Sequence, residues 1–276
     1  MHSLNGTHTI ASILRASPIP QLEARILIGH VTGMSRIQLI TQSEQVLRDA
    51  EILQIQTLFE RRLLGEPIAY LSGQREFYGL SLKVSPAVLI PRPETELLVE
   101  LAIQNLPPAG HLLDMGTGSG AIALAVAHQR PDVSVTALDV SAEALQIAQA
   151  NADHHRIPAT FICSDWFAAL DRAARYDVIV SNPPYIVAGD HHLTEGDLRF
   201  EPTDALTDHA DGLSALRTLS AHAAHYLSPN GYLLMEHGYD QAQAVRNLLE
   251  AADFEQIQSW RDLAEIERVS GGKKRG

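Results

Sequence analysis

Cysteine is almost absent from this 276-residue sequence, which contains only Cys163. One cysteine excludes an internal disulfide framework and any zinc or iron–sulfur site built from several cysteines. Long apolar runs are missing as well: none approaches the roughly 18 residues of a membrane span. Residues 1–10 lack the basic region and apolar stretch of a secretory signal. We therefore expect a reduced, cytoplasmic protein with no membrane segment.

Positive charge is also scarce. The chain has 21 Lys+Arg against 33 Asp+Glu, a formal net charge of −12, while 45% of its residues are hydrophobic. This composition is typical of a globular protein and excludes a disordered one. Non-specific binding to nucleic acid relies on contacts of Lys and Arg with phosphates, so the acidic balance predicts no direct nucleic-acid partner. The length suggests about two domains.

The beginning of the chain has the pattern of short helices. Apolar side chains recur at helical spacing from Ile10 onward, and again in a segment that ends near Gly33. Ser43 is a candidate N-cap for a longer helix, which ends before the helix-breaking Pro67. We expect residues 1–74 to form a small helical domain.

A different pattern follows over residues 75–92, where aromatic and β-favouring side chains alternate with turn signals such as Gly79. This pattern predicts a β-hairpin that links two domains. A helix can begin just after it, because Pro93 suits the first turn. Glu94 and Glu96 would then lie near the positive end of the helix dipole.

Strands and helices alternate through the remaining residues, 93–276. The apolar runs predict strands over 111–115, 134–138, 160–163, 176–181 and 231–236, with helices over 119–128, 141–153, 211–227 and 240–251. Such alternation with continuous apolar strands is typical of a parallel sheet that is covered on both faces. The expected fold is therefore α/β and doubly wound. The basic tail over 271–276 is expected to be loose.

A glycine-rich loop follows the first of these strands. Gly116, Gly118 and Gly120 would let the backbone approach a ligand, although a tight strand–helix turn uses glycines too. Asp139 ends the next strand about 20 residues later, where a carboxylate can accept both ribose hydroxyls. The loop lacks a Walker A lysine, which leaves a nicotinamide cofactor or S-adenosylmethionine. Asp114 favours S-adenosylmethionine, since it suits a cationic amino-acid tail and would repel a pyrophosphate.

The most specific segment is Asn182-Pro183-Pro184-Tyr185, which follows an apolar strand. Its two prolines fix the backbone and remove two N–H donors. The side-chain carbonyl of Asn182 and the backbone carbonyl of Pro183 can then hold both hydrogens of a planar –NH2 group, on which Tyr185 can stack. The alternative is a rigid proline turn. Beside a cofactor site, we interpret the segment as an acceptor for methyl transfer to nitrogen.

Four further side chains invite a functional hypothesis. Trp166 either flanks an adenine or anchors the core, and the sequence leaves this open. Cys163 lies in an apolar strand, and we expect a buried, inert thiol. His222 and His225 have helical i, i+3 spacing, but no nearby carboxylate completes a metal site. We expect no bound metal.

Taken together, the glycine loop and the Asn-Pro-Pro-Tyr segment resemble those of amino-group methyltransferases that use S-adenosylmethionine. Residues 77–79 (Phe-Tyr-Gly) and 90–96 (Ile-Pro-Arg-Pro-Glu-Thr-Glu) are similar to the signature of the release-factor glutamine methyltransferases, the PrmC/HemK family. The resemblance covers nearly the whole chain. It implies a mostly parallel, seven-stranded methyltransferase sheet and S-adenosylhomocysteine as the product. The implied acceptor is the glutamine amide nitrogen in the Gly-Gly-Gln motif of peptide chain release factors.

The same resemblance implies a role for individual residues. The implied cofactor-binding residues are Gly116, Thr117, Gly118, Ser119, Gly120, Asp139, Trp166 and Asn182. The implied substrate-binding residues are Asn182, Pro183, Pro184 and Tyr185, of which Asn182, Pro183 and Tyr185 are catalytic. The helical domain would recognise the protein substrate, and residues 93–276 would be the methyltransferase domain.

Two other functions remain as alternatives. An adenine-specific methyltransferase acting on nucleic acid shares the Asn-Pro-Pro-Tyr motif, but the chain's acidic charge speaks against it. A non-catalytic nucleotide-binding protein would need no acceptors for an –NH2 group.

Overall fold

A computed structural model describes residues 8–276 of a chain that divides into two compact units, Met1–Gln74 and Arg75–Gly276. The described part of the first unit is helical, with α1 (Ile10–Arg15), α2 (Gln21–Thr32), α3 (Arg36–Thr41), α4 (Asp49–Leu63) and α5 (Ile68–Ser72). Their apolar faces meet in one core, where Leu27, Ile28 and Ile55 are fully buried. The α2 helix ends at Gly33, which has a left-handed backbone.

The prediction that Ser43 caps the long helix is wrong. The α4 helix begins only at Asp49, because the residues before it are extended. The backbone N–H of Leu47 donates to the carbonyl of His8 at 2.9 Å, which fixes this stretch alongside the start of the described chain. A serine does cap a helix nearby, but it is Ser35, at the start of α3.

A β-hairpin begins at the boundary between the two units and consists of β1 (Gln74–Phe77) and β2 (Leu80–Lys83), so its strands end before the predicted limit at residue 92. Tyr78 and Gly79 form its turn with φ angles of 49° and 82°, and two positive φ angles match the twist of hairpin strands. A single-turn 3-10 helix then begins at Pro93 and leads into α6 (Glu96–Asn105).

Seven strands build the main sheet of the second unit. They are β3 (His111–Met115), β4 (Ser134–Asp139), β5 (Thr160–Cys163), β6 (Tyr176–Ser181), β7 (Leu227–Glu236), β8 (Phe254–Arg261) and β9 (Glu267–Lys274). Their order is β5-β4-β3-β6-β7-β9-β8, parallel as far as β7 and antiparallel at β9 and β8. This confirms the doubly wound, mostly parallel, seven-stranded sheet.

Helices cover both faces of the sheet. They are α6, α7 (Ala121–Gln129), α8 (Ala142–His155), α10 (Ser214–Tyr226) and α11 (Ala242–Ala251), while α9 (Thr203–Leu206) is a single turn in the loop after β6. Side chains alternate between the faces along each strand. Leu112 and Val178 thus pack on one side, and Leu113 and Ile179 on the other. All four are fully buried.

The direction of the connections changes at the centre of the sheet. From β3 the chain proceeds to β4 and β5 on one side, and from β6 it proceeds to β7 on the other. Met115 and Ser181, the last residues of β3 and β6, lie in register as neighbours. In open α/β sheets such a switch point leaves a crevice at the carboxyl ends of the strands, where ligands bind.

The prediction of a loose tail from residue 271 is wrong. Gly271 and Gly272 belong to β9, which pairs with β7 on one side and β8 on the other. A Cβ atom at Gly271 would lie 2.5 Å from the carbonyl oxygen of Leu233, so glycine permits the close approach of β9 to β7. Among the described residues, no helix is both long enough and apolar enough to cross a membrane.

Candidate active site

A cavity of about 420 Å³ lies at the carboxyl ends of the parallel strands. Five segments of the second unit form its walls: the loop after β3, the end of β4, the segment after β5, the segment after β6 and the segment before α6. Its lining residues include Thr95, Met115, Gly116, Thr117, Gly118, Ser119, Asp139, Trp166, Asn182, Pro184 and Pro202. The cavity therefore brings together most of the residues that the sequence predicts for the site.

The glycine loop forms one wall of this cavity. Backbone N–H groups of Gly116 and Thr117 both donate to the carbonyl of Leu138, at 2.9 and 2.8 Å. Gly116 and Gly118 have φ angles of 76° and 55°, and a Cβ atom on either would meet no protein atom within 4 Å. The loop thus presents bare backbone to a ligand, which is the use of glycine at nucleotide-binding turns.

Gly120 has a different role from the other two glycines. It is not among the cavity-lining residues but occupies the N-cap of α7 with a φ of 83°. A Cβ atom there would lie 3.2 Å from the Cβ of Ala148 on α8. Gly120 permits the close packing of two helices, so the structure places this predicted cofactor residue behind the site.

Asp139 lies at the end of β4 and lines the cavity. Its carboxylate accepts backbone hydrogen bonds from Gly118 at 2.8 Å and from Ser141 at 2.9 Å. Burial raises the pKa of Asp139, and these two hydrogen bonds oppose the rise. A carboxylate held in this way retains lone pairs for hydroxyl groups of a ligand.

Asp114 is fully buried and is not among the cavity-lining residues. Its Oδ2 atom accepts hydrogen bonds from the Thr117 hydroxyl at 2.6 Å and the Ala123 backbone at 3.2 Å. Burial raises its pKa to about 7. Across residues 8–276, its Oδ1 atom finds no hydrogen-bond partner. The carboxyl therefore orders the glycine loop and the first turn of α7 from beneath.

The Asn-Pro-Pro-Tyr segment begins where β6 ends. Asn182 and Pro184 line the cavity, whereas Pro183 and Tyr185 do not. The Asn182 amide nitrogen donates to the Thr95 hydroxyl oxygen at 3.2 Å, which leaves the Asn182 carbonyl oxygen as a free acceptor. Tyr185 turns its hydroxyl toward the Glu236 carboxyl, at 3.3 Å.

Contacts from behind hold this segment in place. The side-chain amide of Gln241 donates to the backbone carbonyl of Tyr185 at 2.9 Å. A Cβ atom at Gly212 would lie only 2.4 Å from the same carbonyl oxygen. Glu236, at the end of β7, is buried, and burial raises its pKa to about 7. Burial and the nearby Glu236 charge also raise the pKa of Tyr185.

Trp166 lines the cavity and also packs against the apolar core on the α10 side of the sheet. Its backbone has a φ of 45°. The structure therefore supports the core-anchor interpretation, and contact with an adenine stays a prediction. Asp165 beside it also lines the cavity.

The prediction of a buried Cys163 is wrong, because the residue is exposed. It ends β5, the strand at the edge of the sheet, where one side has no neighbouring strand. On α10, the His222 ring contacts Phe167 and the His225 ring contacts Tyr226. Within the part of the chain that the structure describes, no group of three or more His, Cys, Asp or Glu is placed to hold a metal ion.

Three functional candidates were not identified from sequence reasoning: the Thr95 hydroxyl, the Glu236 carboxyl and the Arg92–Glu201 pair. Arg92 forms an ion pair with the buried Glu201, which also accepts from the backbone of Ile90 at 3.0 Å. This pair connects the segment before α6 to the loop after β6, and residues of both segments line the cavity. The only sequence signal for Glu236 is its position as a carboxylate at the end of the predicted strand 231–236.

Comparison with known proteins identifies the family. The family model described as "PrmC N-terminal domain" matches residues 7–73, and the one described as "Methyltransferase small domain" matches residues 93–197. The chain is 53% identical to the release factor glutamine methyltransferase of Burkholderia pseudomallei over 97% of each protein. It is 50% identical to that of Bordetella pertussis, over 96% of this chain and 99% of the relative.

A solved structure supports the fold. It is a T. thermophilus 16S rRNA methyltransferase in complex with AdoMet and guanosine, with 24% identity and a TM-score of 0.54. The match covers 73% of this chain and 50% of that one. The fold, the site and the near-complete match to the curated relatives agree: this chain is an enzyme of the release factor glutamine methyltransferase family.

Proposed function

We propose that this enzyme transfers the methyl group of S-adenosylmethionine to the side-chain amide nitrogen of a glutamine. The proposed glutamine is that of the Gly-Gly-Gln motif in peptide chain release factors that read stop codons. The observation that carries this proposal is the position of Asn182. It lines the cavity shared with the glycine loop, and its amide nitrogen is already bound to Thr95. Its oxygen is thus available to accept a hydrogen from an –NH2 group.

The residues present fit S-adenosylmethionine. Gly116 and Gly118 leave open space where a Cβ would project, and Asp139 offers a carboxylate for the ribose hydroxyls. The carboxylates on the cavity wall also include Glu143, Asp165 and Asp204. Arg92 is the single Lys or Arg among the lining residues of the described chain, and it is paired with Glu201. Such walls favour a cationic ligand over a pyrophosphate.

When bound, S-adenosylmethionine would supply an electrophilic methyl group and leave as S-adenosylhomocysteine, while the nitrogen that gains the methyl group releases one proton to solvent. The chain's own contribution is to orient the acceptor. The Asn182 side-chain oxygen and the Pro183 backbone carbonyl accept the two hydrogens of the glutamine amide, which aims the nitrogen lone pair at the methyl group. Pro184, which lines the cavity, then confines the plane of the amide, while Tyr185 supports the segment from behind through Glu236. Orientation of this kind is a large part of the rate gained in a two-substrate reaction.

We further propose that the helical unit, residues 1–74, recognises the release factor. Its helices α2 and α3 expose large apolar side chains: Leu22 is 61% exposed, Ile37 72% and Ile40 60%. Exposed apolar groups of this size on neighbouring helices mark protein-interaction surfaces. The proposed partner is a cytoplasmic translation protein. The net charge of −12 supports the further proposal that the enzyme makes no direct contact with nucleic acid.

The test is incubation of the full-length enzyme with methyl-labelled S-adenosylmethionine and an intact release factor. Peptide mass spectrometry then locates the label, which we expect on the Gly-Gly-Gln glutamine. Asn182→Ala should lower turnover about 10²–10³-fold, because the lost acceptor acts chiefly in the transition state. Cofactor affinity should change much less.

Asn247→Ala is the matched control, since Asn247 lies exposed on α11, away from the cavity-lining residues. Equal losses of affinity and turnover in Asn182→Ala would instead indicate a structural role for Asn182. Methylation of adenine in an oligonucleotide, with none of the release factor, would overturn the proposed function.

A further inference from the structure

The Thr95 hydroxyl lies between two polar side chains that come from distant parts of the sequence. It accepts a hydrogen bond from the Asn182 amide nitrogen at 3.2 Å, and it lies close enough to the Glu236 carboxyl to lower the pKa of that group. Thr95 is only 4% exposed, and Glu236 is 1% exposed. The three side chains thus form a line that runs from the buried end of β7 to the cavity wall.

The single hydrogen of the Thr95 hydroxyl determines which of the three side chains donate and which accept. A threonine hydroxyl carries one hydrogen and two lone pairs. An ionised Glu236 carboxylate is acceptor-only, and its Oε1 atom accepts from the Tyr185 hydroxyl at 3.3 Å. With its hydrogen directed at Glu236, Thr95 offers only lone pairs to Asn182. The Asn182 carboxamide must then turn its NH2 group toward Thr95 and its oxygen away.

This direction belongs to the ionised form of Glu236, which has no hydrogen to donate. The charged groups facing Glu236 are Arg268, which favours the ionised form, and Glu94, which opposes it.

We infer that Thr95, oriented by Glu236, is a positioning residue that holds the Asn182 carboxamide with its oxygen toward the acceptor nitrogen of the substrate. The inference rests on the proposed function, in which Asn182 receives an –NH2 group. If the Asn182 carboxamide were turned the other way, its N–H donors would face the N–H donors of the substrate –NH2 group. The hydroxyl of Thr95 thereby selects the productive one of two orientations that occupy nearly the same volume.

The experiment compares Thr95→Val with Thr95→Ser in the full-length enzyme. Valine keeps the shape of threonine but has no hydroxyl, while serine keeps the hydroxyl. We expect Thr95→Val to lower kcat on intact release factor about 10-fold or more, as for loss of one buried hydrogen bond. Thr95→Ser should recover most of that turnover. Affinity for S-adenosylmethionine, measured by calorimetry, reports that both variants are folded, and Thr95→Ala replaces Thr95→Val if the valine variant does not bind.

A double variant separates positioning from a general structural effect. Adding Thr95→Val to Asn182→Ala should cause no further loss of kcat, because no carboxamide is left to orient. The inference is overturned if Thr95→Val turns over at the wild-type rate, or if it slows the Asn182→Ala enzyme as much as it slows the wild type. Wild-type labelling of the glutamine is measured first. Its absence would overturn the proposed function itself, whereas its presence with an active Thr95→Val overturns only the positioning role.

Discussion

The buried carboxyl of Asp114 leads to a prediction about stability and pH. Burial is the main cause that raises its pKa from 3.8 to about 7, against hydrogen bonds from Thr117 and Ala123 that lower it. A carboxyl with a higher pKa in the folded than in the unfolded protein binds its proton more tightly when folded. The free energy of unfolding therefore falls as the pH rises between the two pKa values. The perturbation that tests this is Asp114→Asn.

The expected magnitude follows from the pKa difference. One pH unit corresponds to about 1.4 kcal/mol, so a rise from 3.8 to about 7 amounts to roughly 4 kcal/mol over the whole titration. About 2 to 3 kcal/mol of this falls between pH 5 and pH 8. The asparagine side chain of the variant does not titrate, so the variant should lose that much less stability than the wild type over this interval. Its unpaired amide costs about 1–3 kcal/mol at every pH, and only the change with pH is diagnostic.

The assay is urea unfolding of the cofactor-free protein from pH 5 to pH 8, followed by tryptophan fluorescence. Both tryptophans, Trp166 and Trp260, belong to the second unit, so the signal reports the domain that contains Asp114. Glu236, whose pKa is also raised to about 7, is present in both proteins and cancels in the comparison. Asp153→Asn, at an exposed position on α8, serves as the control. A constant difference between wild type and Asp114→Asn across this pH range would refute the reasoning.

Two further predictions concern the ligands. Asp139→Ala should weaken S-adenosylmethionine binding about 10- to 100-fold, since a hydrogen bond to a charged group is worth about 1.5–3 kcal/mol; unchanged affinity by calorimetry would remove Asp139 from the site. Deletion of residues 1–74 should leave the affinity for S-adenosylmethionine near normal but abolish methylation of intact release factor. The reason is that a short Gly-Gly-Gln loop buries far less than the ~1,200 Å² of a stable interface. A truncated enzyme that still methylates at the full-length rate would contradict the recognition role.

The parallel part of the sheet was predictable because its signals are local. Strands such as His111–Met115 and Tyr176–Ser181 are continuous apolar runs, and both are observed with the predicted bounds. The rule that ligands bind at the carboxyl ends of parallel strands then located Asp139 and Asn182 on one cavity. Residues that follow strands directly in the sequence are thus within reach of sequence analysis.

The strand β9 was not predictable in the same way. Its residues, Glu267–Lys274, are mostly polar and include two glycines, and they form a strand because β7 and β8 flank them. Its neighbour β8 precedes it across a short loop, but β7 is distant in the sequence, and the polar residues of β9 give no local strand pattern. The exposure of Cys163 has a related cause, since an apolar run does not reveal whether its strand lies at the edge of a sheet.

The same limit applies to part of the site. Thr95, Asn182 and Glu236 meet although they are separated by scores of residues, and the function of the Thr95 hydroxyl exists only in that contact. The sequence identified the motif that contains Thr95 as a signature without a physical reason. The structure supplies a reason, which is the direction of one hydrogen bond.

The contacts that hold the Asn-Pro-Pro-Tyr segment from behind have a consequence for how affinity is divided. Gln241 and Glu236 fix both the backbone and the side chain of Tyr185, and two prolines restrict the chain before it. The enzyme therefore loses little conformational entropy when a substrate binds. The entropy that is lost belongs to the substrate, and in the proposed Gly-Gly-Gln motif the adjacent glycines are the most flexible of residues. An isolated Gly-Gly-Gln peptide should consequently be a poor ligand, and a release factor that already holds its loop in shape a much better one.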